Sequence, residues 1–308
     1  MPYLLRPATL ADAPAVTGLL NEIDVLEIGR PETDLHTVEA DLKHPDRDPE
    51  RDTWLAFDGD RLVVHGLLWD ESGGERIDID HYVLPDRQEA GLLVLDAMET
   101  RALEKARENG AGRAVVHLHL NAAPTLDTAL LRDRGWSVVR RYHVLRRPLD
   151  RARDLPPAAP AGVRLRPCAG EADRIRVHEL YQASFAEHFD FQPRGYEQWL
   201  HDVDAAGLDW SLVWLAATAD HGDAGFLMAR DDRAATGWIR SIGVLREARG
   251  RGLAGLLLRH AFAAFAARGR DTVGLGVDTA NPTGAPGLYA RHGMVLHYAV
   301  DTWEVVLR

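Results

Sequence analysis

The alternation of apolar and polar positions predicts a mixed α/β unit in the C-terminal half of the chain. Apolar residues at 253, 256, 257, 261, 264 and 265 have the spacing of a helix that buries one stripe. Short apolar runs predict strands at 163–166, 212–218, 225–230, 238–244 and 272–277. The pattern also predicts helices over about 171–185 and 286–292, and a strand at 303–307 that closes this unit.

The pattern occurs twice along the chain. Leu-Arg-Pro and Trp-Leu-Ala stand at 5–7 and 54–56, and again at 165–167 and 214–216. Matches at a constant shift indicate two copies of one unit. We therefore predict domains at residues 1–150 and 163–308, with a linker at 151–162 whose prolines favour a stiff, extended chain.

Composition narrows the function classes. The net charge of -11 argues against a nucleic-acid surface, which needs a basic stripe. No apolar stretch approaches the roughly 20 residues that span a bilayer, and the N-terminus lacks a signal peptide. These features predict a soluble cytoplasmic protein, a monomer or a homodimer. Cys168 is the only cysteine, so a disulfide within the chain is excluded and a small apolar packing role is expected.

The negative charge is concentrated in the first copy. Residues 1–160 carry -9 of the net charge, which fits either a cationic partner or simply a solvated acidic surface. Asp78 and Asp80 share one strand face there, and so do His117 and His119. Because no third ligand accompanies the two histidines, we expect no metal site.

A glycine-rich loop carries the candidate chemistry. Residues 250–255 read Gly-Arg-Gly-Leu-Ala-Gly, the G-x-G-x-x-G string of dinucleotide-binding proteins. A Rossmann fingerprint starts directly after a strand, whereas five residues separate Val244 from Gly250, so an NAD-dependent dehydrogenase is the weaker alternative. Small residues at a helix start present free amides and the positive end of the helix dipole to an anion. With Arg249 and Arg251 beside it, the loop predicts a pyrophosphate site.

The segment from Arg249 to Ala254 resembles the R/Q-x-x-G-x-G/A motif of the GCN5-related N-acetyltransferases (GNAT), which cradles the pyrophosphate of coenzyme A. Residues 277–281 and 288–293 resemble the next strand and helix of that family, in family order and spacing. The resemblance implies an α/β fold of two tandem GNAT-like domains, each a mixed, largely antiparallel twisted sheet flanked by helices. The tandem arrangement is similar to that of the mycothiol synthases.

The resemblance implies direct transfer of an acetyl group from acetyl-CoA to the primary amine of a small molecule, without a metal. The strand at 242–244 is then expected to separate from its neighbour, with the Val244 amide as oxyanion donor. Tyr289 matches the general acid that protonates the departing sulfur. The residues implied to bind the coenzyme are Ile242, Gly243, Val244, Arg249, Gly250, Arg251, Gly252, Leu253, Ala254, Gly255 and Asn281.

Each of these residues also has a purely structural interpretation: core packing for Ile242 and Val244, a buried tyrosine for Tyr289, and an Asn-Pro turn for Asn281. Arg249 and Arg251 could also be no more than exposed residues at a helix start, but their place beside three small residues favours phosphate contact.

The proton acceptor for the amine is not evident from the sequence. Mycothiol synthase-like sequences carry an acidic residue six positions before the valine of this strand, but Trp238 stands there. Glu187, His188 and Asp190 lie on the segment that usually lines the acceptor site, and His188 has a suitable unperturbed pKa. A solvated role for each, or a water relay, is the alternative.

The first copy departs from the motif. Glu89 replaces a glycine, Leu93 replaces the small residue at 254, and Leu131 takes the place of Tyr289. We therefore predict no catalysis there, although Asp78 and Asp80 remain candidates for an acceptor pocket. The main alternative for the whole chain is a catalytically silent acyl-CoA-binding or regulatory module.

Overall fold

The computed structural model describes residues 3–44, 47–70, 72–205, 207–231, 235–281 and 283–308. The chain divides into two compact units. Unit 1 combines Met1–Tyr142 with Tyr298–Arg308, and unit 2 is His143–His297. The mixed, largely antiparallel α/β fold that the sequence predicts is confirmed.

Unit 1 contains a sheet in the order β1-β2-β3-β4-β5-β12. Its strands are β1 (Leu4–Arg6), β2 (Thr53–Asp58), β3 (Arg61–Trp69), β4 (Arg76–Val83), β5 (Ala114–Asn121) and part of β12 (Val295–Leu307). Neighbouring strands are antiparallel except β4 and β5, which are parallel. Its helices are α1 (Ala13–Ile28), α2 (Leu35–Leu42), α3 (Pro49–Asp52), α4 (Gln88–Glu108) and α5 (Thr128–Asp133).

Unit 2 repeats this plan in the order β6-β11-β10-β9-β8-β7. Its strands are part of β6 (Ser137–Pro148), β7 (Val163–Pro167), β8 (Val213–Thr218), β9 (Gly222–Arg230), β10 (Thr236–Val244) and β11 (Thr272–Asp278). Its helices are α6 (Glu171–Phe185), α7 (Tyr196–Ala205), α8 (Leu253–Ala267) and α9 (Ala285–Arg291). Here β10 and β11 are the parallel pair.

The unit boundaries differ from the sequential domains predicted from the sequence. The ladder from Val300↔Asn121 to Leu307↔Ala114 places β12 beside β5 in unit 1, so the prediction that 303–307 closes the second copy is wrong. Residues 143–148 lie in unit 2 instead, where the amide of Leu149 bonds the carbonyl of Asp271 at 2.8 Å. Two copies of one unit present equivalent sheet edges, and an apolar pattern alone does not select between them.

The helix that carries the glycine loop is bounded by two glycines with positive φ. Gly252 precedes α8 with φ 81°, and Gly269 follows its last turn with φ 78°. Side chains strongly disfavour this backbone region, so glycine is the natural residue at both ends. Between them the apolar stripe of α8 packs on the sheet, and Phe265 lies against Gly237 of β10.

Candidate active site

The parallel strands of unit 2 part before they end. Their ladder runs from Thr236↔Thr272 to Ile239↔Leu275, and no further β10–β11 pair occurs in residues 235–281, which are described without a gap. Along its other edge β10 stays paired with β9 as far as Val244, with a register irregularity between Ile239 and Ser241. The edge of β10 at 242–244 therefore faces a gap, and the strand separation implied by the resemblance is confirmed.

Helix α6 covers this part of β10 very closely. A Cβ atom at Gly243 would lie 2.4 Å from Cε1 of Phe226 and 2.8 Å from Cβ of Ser184. Ser184 is buried, and its hydroxyl has no hydrogen-bond partner among the described residues. No sequence pattern singles out Ser184, because a serine in a helix has many ordinary roles and only the packing against Gly243 distinguishes it.

The glycine-rich loop joins β10 to α8. A short 3-10 helix at Arg246–Ala248 is followed by Gly250 with φ 78° and Gly252 with φ 81°. The carbonyl of Gly252 accepts the amide of Leu256 at 3.0 Å, so α8 starts immediately after the loop. Helix geometry leaves the amides of Leu253, Ala254 and Gly255 without acceptors within the helix. Together with the dipole of α8 they form a site suited to an anion.

The two arginines of the motif make different contacts. Nε of Arg249 donates to the carbonyl of Val244 at 3.2 Å, so this side chain lies back along β10. Arg251 forms an ion pair with Asp220 and lies 3.2 Å from Nε2 of His221, both in the β8–β9 turn. The Arg251 guanidinium holds the pKa of the Asp220 carboxyl well below its usual range. Because this pair is exposed, it is a weak competitor for a bound phosphate.

Gly255 permits close packing of α9 on the first turn of α8. A Cβ atom there would lie 3.2 Å from both Cε1 and Nε2 of His292. The other ring nitrogen of His292, Nδ1, lies 2.9 Å from the carbonyl of Leu288. The third glycine of the string thus has a packing role, and it brings α9 beside the anion site.

Tyr289 projects from α9 into the core of unit 2, with 6% of its surface exposed. It packs in the same apolar cluster as Val277 of β11 and Leu253 of α8. Burial raises the pKa of its hydroxyl to about 12, and no charged group contributes to the shift. The phenol is therefore fully protonated at neutral pH.

Asn281 stabilises the turn that leads into α9. Its Oδ1 accepts the amide of Thr283 at 2.8 Å and the Thr283 hydroxyl at 2.5 Å. This is the pattern of an Asx turn, in which the side chain replaces a backbone acceptor. The structural interpretation of Asn281 thus has direct support, and its amide nitrogen takes no part in these bonds.

An indole occupies the position where an acidic residue was expected. Ring atoms of Trp238 would lie 2.8 and 3.0 Å from a Cβ atom on Gly274, so the indole packs flat on β11. Further along the α6 side of the sheet, the ring centroids of Tyr181 and Phe185 are 4.8 Å apart. This side of the unit 2 sheet is consequently rich in aromatic surface.

His188 is the one histidine among the three acceptor-side candidates named from the sequence. It follows α6, its amide bonds the carbonyl of Phe185 at 2.8 Å, and the two ring centroids are 4.4 Å apart. Burial lowers its pKa, Asp278 at the end of β11 opposes that shift, and Arg249 reinforces it. Its electrostatic neighbours therefore come from β11 and from the glycine loop, on both sides of the gap.

The two acidic candidates on this segment are placed differently. Glu187 is exposed and lies 3.8 Å from Arg246. Asp190 has φ 52° and accepts a 3.0 Å bond from Gln192, which gives it a role in the local backbone turn. The pKa of His188, by comparison, is influenced both by Arg249 of the glycine loop and by Asp278 at the end of β11.

The corresponding loop of unit 1 is closed by its own side chains. Gln88 donates to the carbonyl of Thr125 at 3.0 Å, and Nε2 of His81 lies 2.9 Å from the carbonyl of Gly91. Leu131 is fully buried. His117 lies 2.9 Å from Glu304 and His119 lies 3.6 Å from Asp78. The described residues contain no group of three side chains that could hold a metal.

A family model described as the acetyltransferase (GNAT) family matches residues 174–294, which contain the whole site. Residues 174–294 therefore belong to the GNAT family. It is 32% identical, over 215 residues, to a mycothiol acetyltransferase of Gordonia bronchialis. That match covers 67% of this chain and 66% of the relative, slightly less than two thirds of the relative's length.

Solved structures agree in fold. A GCN5-related N-acetyltransferase from Sphaerobacter thermophilus superposes with a TM-score of 0.83 at 25% identity, covering 99% of this chain and 96% of that one. A tandem GNAT protein from the clavulanic acid biosynthesis pathway has a TM-score of 0.72 at 17% identity, covering 99% and 98%. Among the described residues, no helix has the length and apolar composition that a bilayer crossing requires.

Proposed function

We propose that the chain is an acetyl-CoA-dependent N-acetyltransferase whose active site lies in unit 2. The observation that carries this proposal is the gap between β10 and β11, which opens beside the glycine loop at the start of α8. An extended thioester arm fits the gap while its pyrophosphate binds the helix N-terminus. Family membership and the mycothiol acetyltransferase relative support the same activity.

The backbone of β10 would bind the acyl arm. Amides of residues 242–244 on the unpaired edge would bond the pantetheine and the acetyl oxygen, with the Val244 amide as oxyanion donor. A fixed donor in a site shielded from water stabilises the developing oxyanion strongly, because it needs no reorientation during the reaction. The side chains of Ile242 and Val244 meanwhile remain packed in the core.

Tyr289 would assist the leaving group. A free thiol has a pKa of roughly 8.5, so a phenol with a pKa of about 12 does not readily give up its proton completely to a thiolate. Its part is to donate a hydrogen bond to sulfur while negative charge develops there. In an apolar surrounding, such a charge-assisted bond is strong.

The acceptor would be a primary amine of a small molecule. It would attack the thioester carbonyl as a nucleophile in its unprotonated form. Since Trp238 supplies no carboxylate, we assign the role of proton acceptor to His188, whose lowered pKa keeps it neutral at pH 7. A cysteinyl precursor of mycothiol belongs among the amines to be tested because of the relative's name. Polyamines, aminoglycosides and amino acids complete the set.

The test is a thiol-release assay with acetyl-CoA and this set of amines, applied to the wild type and to Tyr289→Phe. The variant should bind acetyl-CoA as before, while kcat falls about a hundredfold because a positioned proton donor is lost. Tyr196→Phe is the matched control, since that hydroxyl donates to Glu171 at 2.7 Å, away from the glycine loop, and its loss should leave kcat unchanged.

Two outcomes would contradict the proposal. Unchanged turnover in Tyr289→Phe would remove the tyrosine from the mechanism. Tight binding of acetyl-CoA without thiol release for any amine would instead favour a silent acyl-CoA-binding module.

A further inference from the structure

Unit 1 carries a polar sheet face along β4. Along β4, Ile77 and Ile79 are buried in the core, whereas Asp78, Asp80 and Tyr82 alternate with them and point to the opposite face. These three side chains are each surrounded by protein but keep part of their surface accessible, as residues that line a cleft do.

Strand β4 of unit 1 aligns with strand β10 of unit 2 when their last residues, Val83 and Val244, are matched. Val83 pairs with Val64 of β3, and Val244 pairs with Gly225 of β9. Counting back along the ladder, Asp80 corresponds to Ser241. Because of the irregularity after Ile239, Asp78 corresponds to Trp238. Unit 1 therefore has carboxylates where unit 2 has a hydroxyl and an indole.

The gap between the parallel strands is also present in unit 1. The β4–β5 ladder runs from Arg76↔Val115 to Ile79↔Leu118, and no further pair joins these strands, both of which are fully described. Asp80 and Tyr82 thus lie where the strands have parted. In unit 1, the loop that corresponds to the glycine loop is closed by side chains. Acidic side chains of β4 line the other side of the gap between β4 and β5.

Several carboxylates act on this cleft, and Arg47 and Arg76 partly offset them. Burial raises the pKa of Asp80, and one of its oxygens accepts the indole N–H of Trp69 at 2.6 Å. Asp80 is the main cause that raises the pKa of Tyr82 well above its usual range, and the other carboxylates in reach add to it. Those carboxylates are Asp24, Glu27 and Asp41.

One buried cation in this cluster is incompletely bonded. Arg47 is 8% exposed, and its guanidinium carbon lies 3.9 Å from the centre of the Trp69 ring. Nη1 donates to the carbonyl of Asp41, but Nε and Nη2 have no partner among the described residues. A buried N–H without an acceptor is unfavourable, and more so when it is charged. Two donors of this guanidinium thus lack an acceptor, beside the indole whose N–H bonds Asp80.

We propose that this cleft binds a small molecule in which an ammonium group stands next to a hydrogen-bond-accepting oxygen, such as an amino alcohol or an amino acid. The ammonium group is held by Asp80 and its neighbouring carboxylates, and the oxygen accepts from Nε and Nη2 of Arg47. The site is in unit 1, so it does not depend on the function proposed for unit 2.

The reporter for binding is the indole N–H of Trp69, because it is bonded to Asp80 itself. Its signal in a ¹H–¹⁵N spectrum is assigned with Trp69→Phe and followed while ethanolamine or glycine is added. Ethanolamine represents the amino alcohols and glycine the amino acids. Ethylamine lacks the oxygen and acetate lacks the ammonium group, so both should bind at least about tenfold more weakly. The indole of Trp210, bonded to Asp204 in unit 2, is the internal control.

Variants test the ammonium contact of Asp80 and the oxygen contact of Arg47 separately. Asp80→Asn should weaken both probes by at least about tenfold, because a charge-assisted contact is lost. Arg47→Gln should remove the difference between ethanolamine and ethylamine. Asp60→Asn, an exposed residue in the β2–β3 turn, should change nothing.

The wild-type titration tests the proposal even if a variant fails to fold. A Trp69 signal that does not move with ethanolamine or glycine overturns it, and so does equal binding of ethylamine. Failure of the thiol-release assay in unit 2 would leave the Trp69 titration unaffected, so the two proposals can fail separately.

Discussion

Burial has opposite chemical consequences for two residues of the candidate site. It raises the pKa of Tyr289 to about 12 and lowers the pKa of His188, because a desolvated group favours its neutral form. The neutral phenol is a hydrogen-bond donor, and the neutral imidazole is a proton acceptor. In the proposed reaction, one physical effect would thus prepare both the leaving-group donor and the proton acceptor, without an acidic residue at position 238.

His188→Gln tests the acceptor role. In the wild type, kcat/KM should fall as the pH drops through the lowered pKa of His188, below the usual value of about 6.5, since only the neutral ring accepts a proton. The variant should lose this acidic limb, and kcat at pH 7 should fall by about a hundredfold. A pH series of initial rates measures both.

His260→Gln is the matched control. Burial also lowers the pKa of His260, but this residue lies on α8 with its ring against Trp214, 5.0 Å between centroids. Its replacement should leave the pH profile intact. An acidic limb that survived in His188→Gln would assign it to another group or to the substrate.

At the scale of elements, α8 has a glycine with positive φ at each end, but only one of these glycines lies at the glycine loop. Gly252 at its start and Gly269 after its end both have positive φ, and a Cβ atom at either would meet nothing within 4 Å. The two positions therefore present the same backbone strain to a substitution. Only the first lies beside the amides that form the anion site.

Gly252→Ala and Gly269→Ala form a pair that isolates this difference. Each should destabilise the protein by about 1 kcal/mol, the strain of an alanine in the left-handed region. Only Gly252→Ala should weaken acetyl-CoA, by about tenfold, as a misdirected amide loses one phosphate bond. Thermal unfolding and calorimetric titration give the two quantities. Equal affinity in both variants would move the pyrophosphate away from this loop.

The elements were predictable to different degrees from the sequence. Helix α6 begins and ends where the apolar spacing predicts, and the acidic residues Glu171 and Asp173 in its first turn suit the helix dipole. Helix α7 was not predicted, although Tyr196, Trp199, Leu200 and Val203 have the i, i+3, i+4, i+7 spacing of an amphipathic helix. Among site residues, the glycine loop follows from its local motif. The couplings of His188 and Ser184 depend on tertiary packing, which no local pattern encodes.

At the scale of the whole molecule, each unit contains a strand that the repeat would assign to the other copy. Residues 298–308 complete unit 1, and residues 143–148 belong to unit 2. Residues 151–162, all of them described, form neither helix nor strand. The covalent link between the copies is thus separate from the strands that complete them.

A cut in the linker tests this arrangement. With a protease site inserted between Ala158 and Ala159, cleavage should give two fragments that stay together under native conditions, because each supplies a strand to the other's unit. Size-exclusion chromatography before and after denaturation makes the comparison. A protein with its protease site in the exposed β2–β3 turn at 59–60 is cut within one unit, and it shows how a cleaved but folded unit elutes. Fragments that separated without denaturant would show that the strands are not exchanged.

Strand β12 belongs largely to unit 1 but follows the whole of unit 2 in the chain. During translation, unit 1 therefore cannot be completed until unit 2 has been synthesised. His117 on β5 and Glu304 on β12 are in contact at 2.9 Å, although 187 positions separate them in the chain. While the intervening residues are being translated, β5 has an uncovered edge of the kind that invites wrong pairing. Until β12 emerges, the nascent first unit depends on its remaining partners or on chaperones to keep that edge from aggregating.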